Sequence, residues 1–273
     1  MTQFFPQYLR QLADVSFSLY DIDKQTKVTQ GDNESVLSFG VNVLNERLLQ
    51  SIPTGSKILE IGCGRSSYFK ANLSKNTQWL GLDLYENDGR GVKSIATHIG
   101  SVHEMPFENH EFDFVLANQS LEHWFEYNVA ISDALTEVGR VLKTGGEAWL
   151  NFPLFLHGDP RCLSGNVTAI LGEIPRDLFS EIRVEFLKSN NNGNYEGWRY
   201  CGFPDFLVNS KTSINVNLIL TRNSQQCAIN QHYSKLRPLS KLERLSSYGF
   251  RFLLWKSVNW MLGWDRKKNA AKN

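Results

Sequence analysis

Two carboxylates and two glycines stand at spacings that chemistry can use. Glu60 comes two positions before Gly62, Cys63 and Gly64 follow, and Asp83 lies 21 positions beyond Gly62. Glycines after a short apolar run let backbone N–H groups approach a ligand with no Cβ in the way. A carboxylate about 20 residues further on is where ribose hydroxyls find an acceptor in nucleotide-binding sheets. The third glycine of the dinucleotide fingerprint is missing, with Ser66 and Ser67 in its place.

Glu60 then selects among nucleotides by charge. Two like charges about 4 Å apart repel by about 4 kcal/mol at an effective dielectric near 20, so a pyrophosphate is a poor neighbour. An ammonium and a sulfonium are attracted by the same carboxylate. S-adenosylmethionine carries both, and this charge reading favours it.

A second group of residues is suited to proton transfer. His123 follows the apolar run that ends at Asn118, and His157 stands two residues from Asp159, with Arg161 next. Imidazole titrates near neutrality and can act as a general base. A structural histidine, or a polar Gly-Asp-Pro turn, explains the same residues, and both readings stay open. The cysteines Cys63, Cys162, Cys201 and Cys227 form no C-x-x-C pair. That spacing points to no zinc site and no disulfide framework, and fits a reducing compartment.

The elements that must position these groups alternate. The spacing predicts a helix over 34–50, stopped by Pro53-Thr-Gly55, then a strand over 57–62 and a helix over 66–74. Strands follow over 78–83, about 95–101 and 112–118, then a helix from Tyr127 to Lys143 ended by Gly145-Gly146, and a strand over 147–152. A helix is expected over Gln7–Leu19 and the end of another over Leu178–Ile182. Arg183–Leu187 and Ser213–Leu220 read as strands. This order implies a doubly wound, mostly parallel α/β sheet with helices on both faces and ligands at the carboxyl ends of the strands.

Four segments in order resemble class I S-adenosylmethionine-dependent methyltransferases of the small-molecule-acting branch. They are Glu60-Ile-Gly62-Cys-Gly64, Asp83, Gly100-Ser-Val-His-Glu-Met-Pro106-Phe107 and Phe112-Asp-Phe-Val-Leu-Ala-Asn-Gln-Ser-Leu-Glu-His123. The resemblance implies a seven-stranded sheet closed by an antiparallel pair, with one antiparallel strand near the edge. It implies cofactor contacts from Glu60, Gly62, Cys63, Gly64, Asp83, Leu84, Ser101, Val102 and Asn118. An acidic residue is common in that family at the Ser101 position, where it meets the adenine amino group; here a hydroxyl replaces it, and Glu104 is a candidate substitute. The acceptor side would hold His123, His157 and Asp159, with no metal.

The resemblance is good over about residues 34–153. It divides the chain into a lid or packing helix (1–33), the methyltransferase domain (34–223, with an acceptor-side insert about 154–210) and a tail (224–273). Of 29 Lys+Arg and 28 Asp+Glu, residues 235–273 hold 10 and 2, leaving 19 and 26 for residues 1–234. Phe252-Leu-Leu-Trp255 and Trp260-Met-Leu-Gly-Trp264 among these basic residues suit a helix in a membrane interface; a helix packed on protein buries the same side chains. Neither a signal peptide nor an apolar run of about 20 residues is present, so a cytoplasmic protein is expected, with peripheral contact at the inner membrane face as one option. The acidic remainder argues against nucleic acid.

The aromatic stretch Asn194–Phe203 offers flat faces for a sugar. O-methylation of a sugar or glycan is therefore the finer expectation. An NAD-dependent oxidoreductase and a non-catalytic protein with the same fold are the alternatives.

Overall fold

The computed structural model describes residues 14–21, 46–86, 93–118, 120–124, 127, 129–153, 167–189 and 213–224. Eight strands lie among them: β1 (Val15–Asp21), β2 (Lys57–Ile61), β3 (Gln78–Asp83), β4 (His98–Ile99), β5 (Phe112–Asn118), β6 (Leu142–Pro153), β7 (Phe179–Ser189) and β8 (Ser213–Arg222). They form one sheet in the order β1-β7-β8-β6-β5-β2-β3-β4. Strand β8 runs antiparallel to both β6 and β7, and every other pairing is parallel.

Five helical segments accompany the sheet: α1 (46–51), α2 (Tyr68–Asn72), α3 (Leu121–Trp124), α4 (Ile131–Val141) and α5 (Val167–Gly172). Apolar residues at helical spacing on α4, namely Ile131, Ala134, Leu135, Val138 and Val141, are all buried. They join Leu59, Ile61, Val115, Ala117, Ala148 and Leu150 from one face of the sheet. The opposite face sends Ile58 and Leu116 against Leu48 of α1 and Phe69 of α2. Side chains alternate along a strand, so neighbouring residues of β2 serve two separate cores. No helix among the described residues is long and apolar enough to cross a membrane.

Several expectations need correction. Residues 15–21 are a strand, not the end of a helix over Gln7–Leu19; β1 pairs in register with β7 at the sheet edge and adds an eighth strand to the expected seven. The β-branched Val15 and the aromatics Phe17 and Tyr20 suit that pleated surface. The expected strand over 95–101 shrinks to His98–Ile99. Helix α4 stops at Val141, because Leu142 is already extended. Gly145-Gly146 is no helix stop: the pair sits in the irregularity of β6 where the β5 register shifts. There Gly145 takes φ 77°, and a Cβ on Gly146 would lie 2.9 Å from the Asp113 carbonyl. Leu178–Ile182 does not finish a helix, since β7 begins at Phe179.

Candidate functional site

The strand order reverses at β2. From β2 the chain builds outward through β3 and β4, then returns to lay β5 on the other side. Such a switch point opens a crevice at the carboxyl ends of the strands. Gly62 leaves β2 at this place and Ser120 follows β5.

Gly62 and Gly64 both take positive φ, 69° and 60°, which other residues adopt only with strain. Their surroundings differ. A Cβ on Gly62 would lie 2.5 Å from Ser120 Cβ, so the space there belongs to Ser120 rather than to a ligand. At Gly64 no atom of the described residues, its chain neighbours aside, lies within 4 Å of such a Cβ. The two glycines therefore differ: a Cβ would collide with Ser120 at the first and meet no described residue at the second.

Asp83, at the end of β3, clamps this turn. Its Oδ2 accepts from the Gly64 N–H at 3.0 Å and lies 2.9 Å from Ser94 Oγ, while Oδ1 accepts from the Leu84 N–H at 2.8 Å. The Gly64 carbonyl in turn accepts from the Ile95 N–H at 2.9 Å. A carboxylate has about four acceptor positions, so a half-buried Asp83 keeps one for a hydroxyl from outside.

The second carboxylate is Glu60. It lies on the α2 face, 3% exposed, and its Oε2 accepts from Trp79 Nε1 at 2.8 Å and from the Ser67 hydroxyl. The same Ser67 caps α2 by accepting from the Lys70 N–H. Burial pushes the carboxyl above its ordinary value, against the pull of Ser67, Trp79 and the Lys70 charge. Among the described residues none donates to Oε1. Glu60 thus underpins the turn, and its electrostatic case against a pyrophosphate weakens with its burial.

Cys63 is buried, and desolvation followed by the charges of Asp83 and Glu60 pushes its thiol up to about 12. It is a neutral packing residue that faces Gly81, where a Cβ would come 2.8 Å from its Sγ.

Ser101 and Val102 are both buried. The Ser101 hydroxyl sits 2.6 Å from Nδ1 of His103, whose value burial lowers, so the ring is neutral near pH 7. The hydroxyl expected to meet an adenine is thus held by a neighbour two residues away. Glu104 is exposed and pairs by backbone with Ser101.

Asn118 ends β5 half-buried. His123 falls in α3, between the buried Leu121 and Trp124, while its own side chain lies outside the described residues. His157, Asp159, Arg161, the stretch 194–203 and residues 225–273 of the tail also lie outside them.

Sequence reasoning missed Ser120, whose hydroxyl is buried beside Gly62 with no hydrogen-bond partner among the described residues. It also missed Ser67, Trp79 and Ser94, which hold the two carboxylates. The signal was faint: three small hydroxyls and an indole near a glycine turn are unremarkable until the fold brings them together.

Residues 59–150 match the family model described as a methyltransferase domain. This stretch resembles a methyltransferase domain. Its limits run from inside β2 to inside β6, the strands that carry the crevice.

Two relatives by sequence are named methyltransferases. A fatty-acid O-methyltransferase of Mycolicibacterium smegmatis is 23% identical over 176 residues, covering 61% of this chain and 61% of its own length. A demethylmenaquinone methyltransferase of Staphylococcus carnosus is 31% identical over 128 residues, covering 42% of this chain and 51% of its own. The chain thus spans between half and two thirds of these relatives. Among solved structures, the YcgJ protein from Bacillus subtilis aligns with 69% of this chain and 99% of its own, at 14% identity and a TM-score of 0.46.

Proposed function

We propose that the protein transfers a methyl group from S-adenosylmethionine to a small or medium-sized acceptor. The observation that carries this reading is the Asp83-clamped turn at the sheet's switch point, inside a methyltransferase domain. The residues present fit the cofactor. Gly64 borders open space, Asp83 retains acceptor capacity for a ribose hydroxyl, and the unpartnered Ser120 hydroxyl offers a donor to a carboxylate.

When bound, the cofactor supplies an electrophilic methyl carbon on a sulfonium. The chain's contribution is placement. Holding two reactants in near-attack geometry lowers a barrier by about 7–11 kcal/mol, whereas a positioned base adds only about 10²–10⁴-fold in rate. A hydroxyl acceptor has a high pKa and needs that base most, and His123, His157 and Asp159 are the candidates. O-methylation of a sugar or glycan is the finer form of the proposal, supported by the aromatic sequence Asn194–Phe203. The names of the two relatives, one an O-methyltransferase, support a small-molecule acceptor.

Titration calorimetry tests the cofactor. The chain should bind S-adenosylmethionine and S-adenosylhomocysteine, and not NAD. Asp83→Asn should weaken both S-adenosyl ligands about 10–100-fold, since hydrogen bonds to a charged group are worth about 1.5–3 kcal/mol. Affinity for NAD without affinity for either S-adenosyl compound would sink the reading.

A further inference from the structure

Register places a row of polar side chains across the sheet. Asn118 of β5 pairs with Asn151 of β6, Asn151 with Asn217 of β8, and Asn217 with Glu185 of β7. Directly paired residues share a face. Asn118 lies two residues after Leu116, so the row sits on the α1 and α2 face. Extending the β2–β5 register by one place from Ile61 and Ala117 brings Gly62 level with it. With strands about 4.8 Å apart, Asn151 stands two strands, about 10 Å, from the glycine turn. That separation suits an acceptor held beside a cofactor.

The two middle members of the row are buried, which makes their polarity costly. Asn151 is 3% exposed and Asn217 is 2% exposed. Both stand in otherwise apolar strand sequence, Trp149-Leu-Asn-Phe and Val216-Asn-Leu-Ile-Leu. Asn217 Nδ2 donates to Glu185 Oε2 at 3.2 Å, and Glu185 is held by both terminal nitrogens of Arg47 at 3.1 and 3.3 Å. Asn151 Nδ2 donates to the Val216 carbonyl at 3.2 Å, which fixes the direction of the amide. Its Oδ1 is then buried with no partner among the described residues. Leaving a buried acceptor unpaired costs about 1–3 kcal/mol, and native proteins keep few such atoms.

We propose that Asn151, backed by Asn217, is a binding residue of the acceptor site and takes an uncharged, hydroxyl-bearing acceptor. This rests on the methyltransferase reading and gives its acceptor a chemistry. Oδ1 requires a donor, which an ionised carboxylate lacks. An ammonium would donate, but a buried cation needs a counter-charge, and the carboxylate of the row is already paired with Arg47. A neutral O–H meets the requirement without a desolvated charge. The bond also fixes the orientation of that oxygen.

The test uses the full chain loaded with S-adenosylhomocysteine and saturation-transfer NMR. The probes are methyl glucoside and myo-inositol on one side, octanoate and octylamine on the other. The unaltered chain should give signals from the polyhydroxyl probes only. Asn151→Leu, of similar volume, should lose at least 10-fold in those signals while binding S-adenosylhomocysteine as before. If that variant fails to fold, Asn151→Ser keeps a donor near Val216 and withdraws the carbonyl, and the same loss is expected.

Equal probe signals in variant and unaltered chain would overturn the inference, and are the outcome if an internal water alone satisfies Oδ1. Signals from octanoate or octylamine alone would overturn it too, as would silence from every probe. Because S-adenosylhomocysteine binding is read separately, its absence from the unaltered chain would instead overturn the parent reading.

Discussion

The two halves of the sheet solve opposite electrostatic problems. On the β2–β3–β4 side, two carboxylates gather around one glycine turn: Asp83 half-buried and triply hydrogen-bonded, Glu60 buried beneath it. On the β6–β8–β7 side, Asn151 and Asn217 are buried in one row, and the partly buried Glu185 of that row is matched by Arg47. The first half gathers carboxylates at a rigid turn, and the second presents amides with the charge of their row paired. On the function proposed above, that division separates recognition of a charged cofactor from that of an uncharged acceptor.

The comparison breaks most visibly at Gly62. Gly62→Ala should cost about 1–2 kcal/mol for the left-handed backbone and about 1–3 kcal/mol more for the collision with Ser120. Urea denaturation would read the total, and adding Ser120→Gly should recover the second part alone. Full recovery would show that φ at the turn relaxes, and the rigidity argued for this half would fail.

A smaller effect separates Glu60 from the amide half by pH. A carboxyl whose native value is raised binds its proton more tightly when folded. Its stabilisation is fully present below the unfolded value near 4.3 and is lost as pH rises through the raised native value. Glu60→Gln lacks this titration. Its stability relative to the unaltered chain should therefore rise from about pH 4 upward, in denaturation curves taken across pH. A gap that is flat with pH would mean the group is not desolvated.

The smallest change is expected at the far end of the row. Arg47 and Glu185 are partly exposed, and such pairs contribute about 0.2–1 kcal/mol. Arg47→Met should lower stability by that amount. A loss several times larger would mean that the ion pair, rather than the amides, organises the second half.

What was legible locally was read correctly. Phe112–Asn118 and Gln78–Asp83 are strands at their expected limits, because alternating or continuous apolar residues bounded by turns report burial directly. The helix after Ser66 begins at Tyr68 with Ser67 as its cap. Errors fell where tertiary pairing overrode local pattern. Val15–Asp21 has enough helical spacing to mislead and is drawn into the sheet by β7. Gly145-Gly146 looks like a helix stop because glycine serves both helix ends and strand irregularities.

The residues Glu60, Gly62, Gly64 and Asp83 could be picked from the sequence because their chemistry and spacing belong to one continuous strand–turn–helix–strand segment. Which carboxylate faces the crevice could not, since burial of Glu60 depends on Trp79 and Ser67 arriving from other elements. Nor could the amide row, whose members are 33 and 66 residues apart along the chain (118, 151 and 217) and meet only through strand register. Hydrophobic period and turn chemistry are local properties and survive in one dimension. Desolvation and hydrogen-bond partnership are properties of what packs against a group, and only the folded sheet decides them.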